Sequence, residues 1–355
     1  MRAFYTNEHA SHDPESFIAR GQVCPCPEQA RRADILLAAA RDANHETIAC
    51  TGPMAAEALV GIHDADYLNF LATAWEHWSA LPDFGAEIVP NVHPSRNMAN
   101  GRKNGRPNAI VALAGHYQAD TACPIGPGTW DGIRASATVA VTAADAVMAD
   151  RAAGQPMPHA YALCRPPGHH AYGDQAGGFC FLNNTAIAAQ RCRTLGADRV
   201  AILDVDVHHG NGTQGIFYKR ADVLTVSLHG DPSEYYPYFA GYADEAGAEG
   251  GLGFNLNLPL AQGTSDSEYL KAFAAAETRI RGFSPDVLIV ALGLDASVSD
   301  PLAYFGLTTE GFGKLGQALG GFGLPTVLVQ EGGYISPVLG DNLVAALAGF
   351  EATRS

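Results

Sequence analysis

A chain of 355 residues, 47% hydrophobic and only 17% charged, has ample material for a large buried core. Its net charge of −15 argues against nucleic acid as a partner, because phosphates call for basic patches, and mildly favours a cationic ligand through long-range steering. Seven cysteines without paired spacing argue against a disulfide framework, and Cys24-Pro25-Cys26 lacks the second Cys/His pair of a zinc or redox motif.

The start, Met1-Arg2-Ala3-Phe4-Tyr5-Thr6, lacks the apolar core of a signal peptide, and no run approaches membrane-spanning length, so a soluble, cytoplasmic protein with no membrane partner is expected. No linker, charge run or internal repeat divides the chain, and residues 1–355 are read as one domain.

In chain order, a helical stretch at residues 131–149 precedes a strand at 160–164 that ends in Arg165-Pro166-Pro167-Gly168-His169-His170. A helix at 184–195 precedes a strand at 200–203, which runs into Asp204-Val205-Asp206-Val207-His208-His209-Gly210-Asn211. Three more apolar strands follow, at 223–228, 287–292 and 326–330. They lead into His229-Gly230-Asp231-Pro232, Gly293-Leu294-Asp295 and Glu331-Gly332-Gly333-Tyr334. Apolar strands alternating with amphipathic helices predict an α/β fold with a buried, mainly parallel sheet covered on both faces. Ligands of such sheets bind beyond the carboxyl ends of the strands, where all five of these reactive clusters fall.

Asp206 and His208 are two residues apart, so both leave the same face of an extended chain and offer half a divalent-metal site, or a salt-bridge cluster. Asp295 is the natural third ligand, the competing role being a helix N-cap ahead of Ala296. Asp204 points the same way as Asp206 and suits an outer hydrogen-bond acceptor. His169 and His170, on a stiff turn, can divide general-base and general-acid duties, or serve as a ligand or a structural histidine. Tyr334, freed by two glycines to approach a metal, can donate to an oxyanion, although Gly-Gly-Tyr alone is commonly just a turn. Together these parts describe metal-assisted hydrolysis of an amide.

Arg165-Pro166-Pro167-Gly168-His169-His170-Ala171, Gly178-Phe179-Cys180-Phe181-Leu182-Asn183-Asn184, residues 203–214 and Glu331-Gly332-Gly333-Tyr334 resemble, in order and spacing, the signature blocks of the histone deacetylase superfamily. The resemblance implies a three-layer arginase/deacetylase-like fold with a central, mainly parallel sheet flanked by helices. It implies Zn²⁺, with Fe²⁺ or Co²⁺ as alternatives, on Asp206, His208 and Asp295, His169 and His170 as the acid/base pair, and Tyr334 polarising the acyl carbonyl. Asp204 would orient His169, and Asn211 would partner His170 as in class II members. A structural K⁺ would use Asp204, Asp206, His208, Ser227 and Leu228, and Phe179 and Tyr236 would wall the acyl tunnel. Arg32 resembles an arginine beside the family's internal acetate channel, the competing view being an ordinary helix-surface arginine.

Within the superfamily the similarity is greatest to bacterial acetylpolyamine amidohydrolases, carried by residues 62–71, Pro127-Gly128-Thr129-Trp130, His229-Gly230-Asp231-Pro232 and residues 241–245. That likeness implies a small acetylated cationic amine as substrate. It also implies an insertion, here residues 80–125, that narrows the active-site mouth and builds a homodimer. Asp120 is the candidate to meet the distal ammonium. Against it stands a basic stretch at 91–107 with Arg96, Arg102, Lys103 and Arg106, which would repel polyamines unless used in a dimer contact.

A binuclear arginase-like hydrolase would have Asp where this chain has Gly210 and Ser297. A catalytically dead scaffold would be expected to lack a ligand, one of the paired histidines or Tyr334. The alternative of substance is a protein lysine deacetylase with the same chemistry and an open rim.

Overall fold

Residues 200–203 are apolar on both faces, and they form a strand buried on both sides, Val200 and Ile202 packing into one core and Ala201 and Leu203 into the other. The same alternation recurs in Val287/Ile289 against Leu288/Val290, and in Val327/Val329 against Leu328. Each buried Val, Ile or Leu among them contributes about 1.5–3 kcal/mol. In the computed structural model, residues 1–52, 56–94 and 107–353 are described.

Ten strands occur among them: β1 (Arg2–Tyr5), β2 (Ser16–Ala19), β3 (Gln22–Pro25), β4 (Glu46–Ala49), β5 (His159–Ala162), β6 (Val200–Asp204), β7 (Val223–Gly230), β8 (Asn255–Leu260), β9 (Val287–Leu292) and β10 (Thr326–Gln330). Eight form one sheet in the order β4-β1-β5-β10-β9-β6-β7-β8, every pairing parallel, while β2 and β3 make a separate hairpin. The five strands expected to end in chemistry are β5, β10, β9, β6 and β7, contiguous at the centre of the sheet.

Nine helices are described: α1 (Arg31–Asp42), α2 (Ala65–Ser79), α3 (Ile110–Tyr117), α4 (Thr129–Ala152), α5 (Asn184–Thr194), α6 (Asn211–Phe217), α7 (Asp266–Phe283), α8 (Thr309–Gly320) and α9 (Leu339–Ala352). Helices α2 to α6 cover one face of the sheet, and α1, α7, α8 and α9 the other. This is the expected three-layer architecture. The predicted helices at 131–149 and 184–195 are α4 and α5, the first running further at both ends.

Helix α5 shows how capping positions the site. Asn183 caps it by accepting from the Ala186 N–H at 2.9 Å, while its amide donates to the Ala171 carbonyl at 3.0 Å. One side chain thereby ties the helix to the turn that carries His169 and His170. No helix among the described residues is long and apolar enough to cross a membrane.

Candidate active site

Asp206 and His208 follow β6 and Asp295 follows β9, adjacent strands paired so that Asp204 lies opposite Ala291. All three side chains are buried. Asp206 Oδ2 accepts the Gly332 N–H at 2.7 Å and Asp295 Oδ1 accepts the Val207 N–H at 3.1 Å. The two carboxylates are thus oriented with Asp206 Oδ1 and Asp295 Oδ2 facing His208 Nδ1, at 3.1 and 3.2 Å. Asp295 Oδ2 is buried and takes no hydrogen bond. An orphaned carboxylate oxygen beside a second carboxylate and an imidazole nitrogen is the donor set of a small divalent cation, and these residues fit one. No helix begins at Ala296, so the helix-cap role for Asp295 is dismissed.

The glycine at 332 is a requirement of this packing. A Cβ there would lie 2.0 Å from Asp295 Oδ2 and 2.5 Å from Asp206 Oδ2. A second group, His169, Cys180 and Glu331, also brings ligand atoms within 4.8 Å of one another. Its carboxylate is already spent: Glu331 Oε2 accepts from the N–H groups of Gly168 and His169 at 2.6 and 3.0 Å, and Oε1 from the Thr185 hydroxyl at 2.6 Å. Glu331 therefore braces the histidine turn.

The electrostatics separate the two adjacent histidines. Burial disfavours the His169 cation, but Asp206 and Asp204 outweigh it and raise the group to about 10, with Nδ1 on Asp204 Oδ2 at 3.0 Å. Burial and the neighbouring charges of His169 and His208 outweigh the Asn211 hydrogen bond and the charge of Asp206, and hold His170 well below the ordinary imidazole range. Its Nδ1 lies 2.6 Å from Asn211 Oδ1. For His208, burial is likewise outweighed by Asp206 and Asp295, which lift it to about 9. Asp206 itself is held far below the carboxylate range by His169 and His208 despite its burial, and Asp295 is raised by burial and by Asp206.

Tyr334 follows β10 and is buried, and burial with the charge of Asp295 pushes its phenol well above the usual value, so it stays protonated and able to donate. Its ring meets Phe179 edge-on at 5.8 Å. His169, His170, His208 and Tyr334 lie on the wall of a cavity of about 970 Å³, whose lining also includes Phe179, Tyr236 and Asp120. Asp120 is committed locally as well. Its oxygens accept from the Tyr236 hydroxyl at 2.6 Å, the Ala122 N–H at 2.8 Å and the Gly178 N–H at 3.2 Å.

Ser227 stands opposite Asp204 in the β6–β7 register, with its hydroxyl 2.7 Å from His229 Nδ1, and Leu228 is buried beside it. Arg32 is no surface arginine. It is fully buried, its guanidinium 5.3 Å from the Tyr334 ring centre, donating to the Glu331 and Gly333 carbonyls and, at 3.0 Å, to Glu28. Arg96, Arg102, Lys103 and Arg106 of the basic stretch lie outside the described residues.

Sequence reasoning gave no role to Glu28 and Arg165, a buried pair joined at 3.0 Å. It passed over Tyr235, whose ring stacks on His208 at 4.9 Å and 13°, and Asp300, which accepts the Tyr334 N–H at 2.7 Å. The Asp300-Pro301 dipeptide was the available signal, weak because it reads as an ordinary turn.

A parallel sheet of eight strands, helices on both faces, and a carboxylate–imidazole cluster at the carboxyl ends of its central strands define a hydrolase of the arginase/deacetylase architecture. The chain matches the histone deacetylase domain over residues 26–350, and it belongs to that family. It is 44% identical to acetylpolyamine amidohydrolase 1 of Pseudomonas aeruginosa, over 99% of both chains. It is 43% identical to the acetylpolyamine amidohydrolase of Burkholderia pseudomallei, over 100% of both. A crystal structure of the acetylpolyamine aminohydrolase from Burkholderia pseudomallei superposes with a TM-score of 0.93 over 100% of each chain, at 41% identity. A histone deacetylase-like amidohydrolase of Pseudomonas aeruginosa is 38% identical over 76% of this chain and 70% of its own.

Proposed function

We propose that the chain is a metal-dependent amidohydrolase, a single catalytic domain that removes acetyl groups from small cationic amines such as acetylpolyamines. The observation that carries this reading is the convergence of Asp206, His208 and Asp295 beside the His169/His170 pair and Tyr334 on one cavity wall. Full-length relatives named for acetylpolyamine hydrolysis support the substrate class.

Asp206, His208 and Asp295 would hold one ion, zinc in the first instance with iron(II) or cobalt(II) as alternatives, which when bound supplies Lewis-acid polarisation of an amide carbonyl and acidifies water. His170, neutral and with Nδ1 held by Asn211, offers Nε2 as the base that takes the proton of the attacking water. His169, its Nδ1 held by Asp204 Oδ2 at 3.0 Å, gives its Nε2 proton to the departing amine. The Tyr334 hydroxyl donates to the carbonyl oxygen as negative charge develops there. Phe179 and Tyr236 flank the acyl chain, and Asp120 places a carboxylate on the cavity wall, where it suits an ammonium.

A structural K⁺ beside Asp204, Asp206 and His208, with Ser227 and Leu228 from β7, is supported by the register that sets Ser227 against Asp204. A homodimer acting in the cytoplasm completes the proposal, the segment 80–125 forming the contact and the mouth. Light scattering of the purified protein tests the dimer.

The deciding experiment is kcat/KM of the zinc-reconstituted enzyme on acetylputrescine, acetylcadaverine, acetylspermidine and an acetyl-lysine peptide, with Tyr334→Phe as control. Preference for the small amines supports the proposal. Preference for the peptide would transfer it to a protein lysine deacetylase, the reading that the histone deacetylase-like relative favours.

A further inference from the structure

The turn after Asp295 does something that none of the roles above uses. Asp300 is buried, 6% exposed, and its two oxygens are divided between distant segments. Oδ1 accepts the N–H of Leu302 at 2.8 Å, closing its own turn, and Oδ2 accepts the N–H of Tyr334 at 2.7 Å. Pro301, Leu302 and Ala303 line the cavity, so one carboxylate joins the wall that substrate passes to the backbone of the residue that donates to the reacting carbonyl. No arginine or lysine pairs with Asp300 among the described residues, and its carboxylate accepts from backbone N–H groups.

The Leu302 carbonyl extends the linkage. It accepts the Tyr235 hydroxyl at 2.5 Å, and the Tyr235 ring lies flat on His208 and on Tyr304, at 4.9 and 4.3 Å. The turn 300–303 is therefore pinned at both ends of the reaction centre: through Tyr235 to His208, and through Asp300 to Tyr334. The need for such a pin lies in the local sequence. Gly332 and Gly333, the latter at φ +108°, give the segment before Tyr334 more backbone freedom than any other residue type would. A phenol that must meet an oxyanion within a few tenths of an ångström cannot depend on that segment alone.

We infer that Asp300 is a positioning residue that couples the cavity-lining turn 300–303 to Tyr334, setting the hydroxyl of Tyr334 while holding the wall against which substrate rests. This rests on the proposed reading of Tyr334 as the oxyanion donor. Loss of the carboxylate loosens both segments together, leaving the Arg32 and Tyr235 hydrogen bonds as their remaining ties, so it lowers kcat through Tyr334 and raises KM through the wall.

The test is a double-mutant cycle on the zinc-reconstituted enzyme with an acetylated diamine. In the wild-type background Asp300→Ala should lower kcat on the order of 10- to 100-fold, with a smaller rise in KM. In the Tyr334→Phe background, where no hydroxyl remains to be placed, the same substitution should change kcat less than about threefold, the KM rise persisting. Equal loss of kcat in both backgrounds, or no loss in either, overturns the inference. If the alanine variant does not fold, Asp300→Asn, which keeps the shape and one acceptor oxygen, takes its place in the cycle. Amide hydrogen exchange separates this inference from the functional reading, because it needs no substrate. Exchange at 302 and 334 should accelerate together in the Asp300 variant, and unchanged protection at 334 overturns the coupling even if the deacetylase activity is established.

Discussion

His170 and Asn211 are joined by a hydrogen bond of 2.6 Å from imidazole Nδ1 to the amide oxygen Oδ1. An amide oxygen only accepts, so Nδ1 carries the proton and Nε2 keeps its lone pair. The neutral partner opposes the lowering by burial, His169 and His208 only through its hydrogen bond, and the imidazole's proton affinity stays depressed. Replacing Asn211 by Asp puts a negative charge at the same position and stabilises the imidazolium. The His170 titration, followed by ring NMR, is expected to move up by about 1–3 units. An unmoved titration would mean that Asn211 does not set the state of His170.

Tyr334→Phe removes the phenol donor and keeps its packing against Phe179. A fall in kcat of about 10²–10³ is expected, with KM little changed, because the lost bond forms fully only as charge develops on oxygen. Steady-state kinetics checks this; a rise in KM at constant kcat would assign the hydroxyl to ground-state binding instead.

Removing metal with a chelator is expected to abolish hydrolysis and lower the melting temperature, since Asp206 and Asp295 then crowd two buried carboxylates around His208. At a hundredfold excess of free ion over its Kd, binding stabilises by about 2.7 kcal/mol. Calorimetry with and without zinc, alongside metal analysis, reads both effects. Gly332→Ala should fold less stably and bind metal poorly, because its Cβ would intrude on both carboxylates.

Glu331 supplies a pH signature of stability. Burial raises its carboxyl from 4.5 to about 7, against the opposing pull of His169 and the Gly168 N–H. Between these values the folded state holds the proton more tightly than the unfolded state, so this contribution is complete below about 4.5 and is lost as pH rises through about 7. Glu331→Gln is expected to flatten that part of the stability–pH curve, its amide donating to Thr185 Oγ1 and its oxygen facing the two N–H groups. Denaturant titrations at pH 5 and 8, chosen to lie roughly on either side of the transition, give the slope. An equal slope in both proteins would remove Glu331 as its source.

Much of the site is legible in the chain because its parts are local. The spacing of Asp204, Asp206 and His208 on an extended strand, the paired histidines after two prolines and Tyr334 after two glycines all lie where apolar strands stop. The resemblance to the deacetylase signature blocks implies the roles proposed for them. The hydrophobic alternation likewise marks the five central strands, since burial on both faces leaves a continuous apolar run.

What the chain could not disclose is which segments meet. The short strands β1 and β4 carry too few apolar residues to be separated from loop by periodicity, yet they complete the sheet beside β5. Arg32 sits on an amphipathic helix and reads as surface, but the packing of α1 turns it inward onto the Glu331 and Gly333 carbonyls. Asp120 reads as a free anion and is found accepting from Tyr236, 116 positions away.

Sequence by itself determined the reactive groups and the strand ends that carry them, because side-chain chemistry and period-two alternation are properties of neighbours along the chain. Only the tertiary structure decided that Gly332 leaves room for both carboxylates, that Tyr235 stacks on His208 and that Asp300 holds Tyr334. Those contacts depend on the order β5-β10-β9-β6-β7, in which strands far apart in the chain pack side by side to bury their common faces.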